Sequence, residues 1–558
     1  MEQQAKPRPT TLLGLPPEIQ TKIFSHIAVP FGKPSIQAIL RTCKQFYNVA
    51  LPISVSIFRN TVHYLEGGGP CSSARNVLFL RYILVSRPFL AKYVKTVIVG
   101  SLSPGEREER KDEDPGNGST DQDLAVYQQQ IETILGALAG KFFYKTSRWR
   151  TAWAADLKAG SPDAQVTLIL LTCPNIRTLL YEKTSKCPHF HALLPLLRDL
   201  YLKQNIRYVT GISHTAIPLS NLQDVFHEAN NDKVGCREFY LEAPRLFALP
   251  HLRFYECIMA YGNDEAAKKF RRLPPRSSTV EDINLHSSYV TASLLRDMLN
   301  SCKALKKFEF IRGMYDLSEE AMPRDFLEAV LPHADTLEDL YINLEDDWDH
   351  GWNWSSCPER LYMGTELSQM HALKRLTLGM RALTGMLAGR PENHESIALQ
   401  MPMKVEGAPR LVDCLPENLE YLQIHHCGEG ILAQAKELIS VAPRRFKKLT
   451  YFGLLFNEWE MDGKVDLSCT SPSLTLDIGY QIPAMVMYDL GRMDIRKREG
   501  DLIRNLTSRI YSENVRRIYL DCEGWAMYAL PNRTSTSMIL IHLRNRAREA
   551  IHLSRRAA

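Results

Sequence analysis

Large apolar residues recur along this chain at one spacing, three and then two positions apart. Cys173-Pro-Asn-Ile176-Arg-Thr-Leu179-Leu-Tyr181 shows it, and Cys302-Lys-Ala-Leu305-Lys-Lys-Phe308-Glu-Phe310 repeats it. The same L-x-x-L-x-L core falls at Leu197/Leu200/Leu202, Leu252/Tyr255/Cys257 and Val280/Ile283/Leu285. It continues at Leu337/Leu340/Ile342, Leu373/Leu376/Leu378, Leu419/Leu422/Ile424 and Leu449/Phe452/Leu454, and Val515/Ile518/Leu520 reads as a last copy. Residues two apart share one face of a strand, so each copy predicts a short strand with an apolar inner side. Leu294 to Leu299 and Phe326 to Leu331 precede such copies and predict helices. A single strand-plus-helix unit cannot bury its apolar face, whereas stacked neighbours can. The fold expected is α/β, an irregular solenoid with parallel strands on the concave side and helices on the convex side. First core positions step by 21 to 66 residues, so the copies are interrupted, at Asp346–Glu366, Gly385–Pro409 and Met461–Arg504.

Upstream the period changes. Pro16 and Pro17 open a helical stretch in which Ile19, Ile23 and Ile27 share a face that Phe24 widens. Gly32 and Pro34 are expected to break it, with Ser35 as N-cap of a second helix carrying Ile36, Ile39, Leu40, Cys43, Phe46 and Ala50, ended by Pro52. A first strand is expected between Ile53 and Leu65, a helix over Ala74 to Val85 and a second strand over Val94 to Val99. Met1 to Thr11 reads as a polar lead. Ser101 to Asp123, with EREERKDED followed by PGNGSTDQD, has almost no large apolar residue and is expected to be a disordered loop. Ser537 to Arg556 is a basic amphipathic stretch, read as a solvated cap on the last repeat. The division expected is therefore a lead to residue 11, a helical unit over 12–52 and a repeat domain over 53–558.

The helical unit resembles an F-box. The opening of that motif is matched by Leu15, Pro16, Glu18, Ile19, Ile23 and Phe24, and its Leu-Arg-x-Cys-Lys-x-Phe-like second half by Leu40, Arg41, Cys43, Lys44 and Phe46. The arrangement is similar to that of fungal F-box proteins, down to Ala50-Leu51-Pro52, although no tryptophan closes the motif. The repeats resemble degenerate leucine-rich repeats. The Asn/Cys position that caps the turn in regular copies is clear at Asn205 and Cys427. The resemblance implies a substrate-recognition subunit of a Skp–cullin–F-box ubiquitin ligase, a non-catalytic adaptor. Leu15, Pro16, Glu18, Ile19, Ile23, Phe24 and Ile27 would dock the Skp-type adaptor and, through it, a cullin scaffold. Leu40, Cys43 and Phe46 would be partly core and partly contact. The repeats would hold a protein target. The alternative is a repeat scaffold without a ligase role, its N-terminal helices merely capping the solenoid. Exposure of the face carrying Ile19, Ile23 and Phe24 separates the two readings.

Composition narrows the remaining choices. At 558 residues the chain exceeds one ordinary core, and 45% hydrophobic with 23% charged residues is normal for a folded protein. A net charge of +5 does not by itself call for nucleic acid, and none is expected as a partner. No basic-then-apolar start predicts a signal peptide, and Val166 to Leu171 is too short to span a bilayer, so an intracellular protein of cytoplasm or nucleus is expected. The 12 cysteines are scattered without a C-x-x-C pair, which fits a reducing compartment. Nucleotide loops, a nucleophile elbow and a zinc helix have no matching motif, so neither a cofactor nor enzyme chemistry is expected. Cys187, His189 and His191 invite a metal reading but lack a second ligand pair. His425, His426 and Cys427 read as repeat-turn residues. Asp346, Asp347, Asp349 and His350 stand among Trp348, Trp352 and Trp354; these tryptophans are the first candidates for target contact, since aromatics are favoured at binding hot spots.

Overall fold

The structure is a computed structural model. It describes residues 11–60, 73–100, 120–138, 143–182, 187–204, 218–228, 239–313, 321–344, 358–385, 407–428, 430–457, 467 and 474–481. Thirteen parallel strands form one sheet: β1 (Ile57–Asn60), β2 (Thr96–Val99), β3 (Thr178–Tyr181), β4 (Asp224–Glu228), β5 (Phe254–Ile258), β6 (Tyr261–Gly262), β7 (Asp282–Val290), β8 (Lys307–Arg312), β9 (Asp339–Asn343), β10 (Arg375–Gly379), β11 (Tyr421–Cys427), β12 (Tyr451–Asn457) and β13 (Thr475–Gln481). Their order in space is their order in sequence, apart from the two-residue β6, which pairs with β7.

That order decides where everything else goes. Parallel neighbours need a crossover connection, and such crossovers are right-handed. Each crossover here moves one strand in the same direction, so the described helical connectors fall on one side of the sheet. The helices there are α3 (Ser73–Leu80), α4 (Asp121–Leu138), α5 (Phe143–Lys158), α6 (Pro162–Thr172), α7 (Pro188–Gln204), α8 (Phe239–Leu246), α9 (Asp264–Phe270), α10 (Ala292–Ser301), α11 (Pro323–Val330), α12 (Met380–Thr384), α13 (Leu411–Cys414) and α14 (Ile431–Arg445), preceded by α1 (Pro17–Leu40) and α2 (Lys44–Ser54). Among the described residues the other face carries no helical layer.

The register turns the sequence spacing into rows. Phe58, Val97, Leu179, Val225, Tyr255 and Ile283 are successive partners across the sheet, and Phe308, Leu340, Leu376, Leu422 and Phe452 extend the row. All are buried against the helices in one continuous core. Fully burying each such side chain contributes about 1.5–3 kcal/mol, so the stack is held by many equal increments.

Several expectations need correction. Leu197, Leu200 and Leu202 lie on helix α7, not on a strand. The strand of that repeat is β4, with Leu222 and Val225 in the core and His227 at the third position. The copies at Val55/Phe58 and Val94/Val97/Val99 belong to the same rows, and β1 begins only at Ile57 because Ile53 and Ser54 still belong to α2. β13 falls inside the stretch expected as the third insertion and continues the sheet beyond β12.

Asp121 to Asp123, expected as the end of a loop, begin α4. Thr120 and Asp123 cap each other: the Asp123 N–H donates to Thr120 Oγ1 at 3.2 Å and the Thr120 N–H to Asp123 Oδ2 at 2.7 Å. Arg81 Nε also donates to Asp123 Oδ2, at 2.8 Å. Residues 101–119, Asn205, Trp348, Trp352, Trp354 with their acidic neighbours, the copy at 515–520 and the basic stretch 537–556 lie outside the described residues.

Helix α1 runs unbroken through Pro30, Gly32 and Pro34. A proline removes one ladder bond but holds a helix-compatible φ. Packing at both ends offsets that loss: Phe24 before the prolines and Ile36 after them share one cluster with Phe46 and Ala50 of α2. Pro52 likewise sits inside α2 rather than ending it.

Two candidate interaction surfaces

Helices α1 and α2 close a small core of their own. Phe24 is 1% exposed and Ile36, Phe46 and Ala50 are buried around it, with Ile23, Ile39, Leu40 and Cys43 packed at the margin. A second small cluster joins this pair to the sheet: Leu51 and Val55 meet Leu90, with Tyr47, Tyr82 and Tyr93 around them. Cys43 caps α2, its Sγ accepting from the Phe46 N–H at 3.5 Å.

The residues expected at an adaptor contact therefore divide. Phe24 and Phe46 are interior, because a two-helix unit needs its aromatics to close at all. Ile23, Leu40 and Cys43 are half-buried, and the Ile27 side chain lies outside the described ones. Pro16 and Glu18 are exposed, Leu15 is half-exposed, and Ile19 is 40% exposed. Leu12 and Leu13, which the motif reading passed over, are 39% and 49% exposed on the turn just before α1.

That turn is held by a residue the sequence reading also missed. Gln20 is fully buried, and its amide donates to the carbonyls of Leu12 at 3.0 Å and Leu15 at 2.9 Å. Gln45 of α2 donates to the Leu13 carbonyl at 3.0 Å. Polar side chains thus turn backbone inward while leucines face water. The signal available in sequence was weak: Gln20 is a polar residue between Ile19 and Ile23.

The second surface is the helix-free sheet face. Alternation sends residues between the core rows to this side. One column across the strands reads Asp224, Phe254, Asp282, Lys307, Asp339, Arg375, Tyr421, Tyr451; the next reads Phe226, Glu256, Asn284, Glu309, Tyr341, Thr377, Gln423, Gly453. Phe226 and Phe254 pack ring to ring at 4.9 Å. At the other end the Arg375 guanidinium lies 4.4 Å from the Tyr421 ring, which stacks on Tyr451 at 4.4 Å, and the Tyr451 hydroxyl donates to Asp477 Oδ2 at 2.7 Å.

Between these aromatic ends lie charges. Lys307 Nζ is 2.9 Å from Glu309 Oε2, and His286 Nε2 is 3.1 Å from Glu309 Oε1. Burial opposes ionisation of Glu309, but Lys307 and His286 outweigh it and hold the carboxyl well below the usual range. Asp282 behaves oppositely. Burial, reinforced by Glu309, Asp339 and Glu256 and opposed by Lys307, pushes it up to about 6.

The histidine-rich stretch near residue 190 is structural. His189 accepts from Trp149 Nε1 at Nδ1 (3.1 Å), which assigns its Nε2 proton to Asp156, 2.7 Å away. Asp163 caps α7 from outside, accepting from the N–H groups of His189 and Phe190 at 2.8 and 3.0 Å. His191 bonds the fully buried Glu242 at 2.7 Å, and Tyr181 donates to that carboxylate at 2.8 Å. Cys187, His189 and His191 do not converge, and among the described residues no group of three His, Cys, Asp or Glu is placed to hold a metal. His425, His426 and Cys427 end β11, where His426 adopts φ 50° and the Cys427 thiol donates to the Ile424 carbonyl at 3.3 Å. Among the described residues no helix is long and apolar enough to cross a membrane.

With this geometry in hand, comparison with known proteins adds no relative: no protein-family model matches the chain, and no curated protein matches it.

Proposed function

We propose that this chain is the substrate-recognition subunit of a Skp–cullin–F-box ubiquitin ligase, with α1 and α2 as the F-box and the parallel-sheet array as degenerate leucine-rich repeats. The observation that carries the reading is an apolar end left in water by a helix pair whose own core is already closed. Leu12, Leu13 and Ile19 are exposed around Pro16 and Pro17 while Phe24 and Phe46 satisfy each other inside. Three large apolar side chains left exposed within eight residues of one another support an interaction site there. A Skp-type adaptor covers it, the adaptor bridges to a cullin, and the sheet face holds the protein to be modified. No covalent chemistry is asked of this chain; it supplies proximity.

A second reading has its own observation. Leu51 and Val55 pack on Leu90 beside the first strands, which is how a capping unit would sit. The test is co-purification with a Skp-type adaptor from cells expressing both chains. Wild type is expected to retain the adaptor, and the Leu15→Ala/Pro16→Ala double variant to lose it while its sheet stays folded by circular dichroism. Retention of the adaptor at wild-type yield by that variant, or no capture by wild type, leaves the scaffold reading.

A further inference from the structure

The residue just before each main-path strand from β2 to β10 lies on the amino-terminal rim of the sheet, and backbone hydrogen bonds run from one rim position to the next. The Arg177 N–H donates to the Lys95 carbonyl at 2.7 Å, that of Gln223 to Arg177 at 2.7 Å and that of Arg253 to Gln223 at 2.8 Å. The row continues through Glu281, Lys306, Glu338 and Lys374. Its two halves differ in charge. In the second half cation and carboxylate alternate and pair: Lys306 Nζ is 2.9 Å from Glu281 Oε2, and Lys374 Nζ is 2.7 Å from Glu338 Oε2. In the first half Lys95, Arg177 and Arg253 are exposed, and the position between the two arginines is the neutral Gln223. None of these three cations has a side-chain hydrogen bond, ion pair or ring contact among the described residues. Glu281, the rim neighbour of Arg253, is taken by Lys306.

A segregation of charge along the chain leaves this half without carboxylates. Residues 19–105 hold ten lysines and arginines and a single acidic residue, Glu66, whereas the whole chain nets only +5, so the remainder is net acidic. β2 and the turn before it belong to that basic segment, and Lys92 of the turn is exposed as well. The turns under the row are fastened to one another. Asn175 Nδ2 donates to the Lys92 carbonyl at 2.7 Å, Asn221 Nδ2 to the Pro174 carbonyl at 3.1 Å and Thr279 Oγ1 to the Leu252 carbonyl at 2.9 Å. The cations therefore stand on fixed backbone. Like charges on adjoining strands are destabilising, and an anion laid along them removes that cost.

We infer that the rim from β2 to β5 binds an extended, aspartate- and glutamate-rich segment of a partner protein. From Lys95 to Arg253 is three strand steps of about 4.8 Å, roughly 14 Å in all, which about four residues of extended chain span. A nucleic-acid site typically draws on roughly 6–10 phosphate contacts, more than this row offers. Complementary charge of this kind sets partner choice and association rate, and salt weakens it. The site goes beyond the adaptor contact at the N-terminal helices and does not depend on a ligase role.

The test is fluorescence anisotropy on the full chain with three labelled probes: a peptide of repeating Glu-Ala-Asp-Val, its charge-inverted Lys-Ala-Arg-Val counterpart, and an oligothymidine. The acidic peptide is expected to bind, with affinity falling as salt rises, and to bind more tightly than the other two. Lys95→Gln/Arg177→Gln should weaken it about tenfold. Lys374→Gln removes a rim cation that is already paired and lies about 19 Å beyond Arg253, so it should change binding less than about twofold. Gln223→Lys fills the neutral gap in the row and should tighten binding about threefold, a gain that misfolding could not produce. Equal or tighter binding of the basic peptide or the oligothymidine, or no binding of the acidic peptide, overturns the inference. So does a Lys374→Gln variant as weak as the double variant, or a Gln223→Lys variant no tighter than wild type.

Discussion

Phe24 meets Phe46 edge-on between the first two helices, ring centroids 5.1 Å apart and planes at 80°. This pair separates inside from outside in the N-terminal unit. Phe24→Ala should open that small core at a cost of about 3–5 kcal/mol, seen as accelerated proteolysis within α1 and α2 while the sheet core persists. Ile19→Ser, on the exposed side, should change stability by no more than about 0.5 kcal/mol and still reduce adaptor capture. Equal loss of capture and of folding in both variants would show that the two residues do the same job.

Gln20 fastens the Leu12–Leu15 turn through backbone carbonyls. Gln20→Ala should release it at a cost of about 0.5–1.5 kcal/mol per hydrogen bond lost. Hydrogen exchange is the direct readout: the Leu15 N–H, bonded to the Leu12 carbonyl, should exchange faster in the variant, and α2 should not.

Asp282 sets a pH dependence. Its carboxyl titrates near 6 when folded, against an ordinary value of 3.8. The folded chain therefore holds a proton that the unfolded chain has released between those values. Stability from this group is fully present below about pH 4 and is lost as pH rises through 6. Asp282→Asn should be more stable than wild type at pH 7, by on the order of 1 kcal/mol, with the advantage vanishing near pH 4 in urea titrations at both pH values. A constant difference across that range would contradict the assignment.

Gly262 of β6 sits against helix α10. A methyl group there would overlap the Leu294 side chain, which is fully buried and has no room to withdraw. Gly262→Ala should cost about 1–3 kcal/mol in chemical denaturation. Adding Leu294→Ala should recover part of that loss; a double variant whose losses simply add would show that the two sites do not touch.

The sequence shows the sheet best where its three apolar positions have no competing period. Leu340/Ile342, Leu376/Leu378, Leu422/Ile424 and Phe452/Leu454 all fall on strands in the expected register, with the first leucine of each copy buried two residues before its strand. Leu197/Leu200/Leu202 does not, because residues three apart also share a helical face, and Pro188 at the first turn was the overlooked helix-start signal. β4 is hidden for the opposite reason: its third inward position is His227, a polar residue stacked on Tyr181 at 4.5 Å. Thr120-Asp-Gln-Asp123 carried a readable capping pattern that charge density in the preceding stretch obscured. The polar columns of the helix-free face have no local signature at all: residues such as Asp224, Asp282 and Asp339 are far apart in sequence and share a column only through the register.

The strictly sequential strand order has a mechanical consequence. Among the described residues every main-path strand hydrogen-bonds only to the strands before and after it, so no strand ladder staples the two ends of the array together. Cooperativity then travels no farther than the coupling between adjoining turns. Denaturant should peel this molecule from its extremities in stages, and a wound in the middle should split it into two halves that remain separately ordered instead of collapsing the whole.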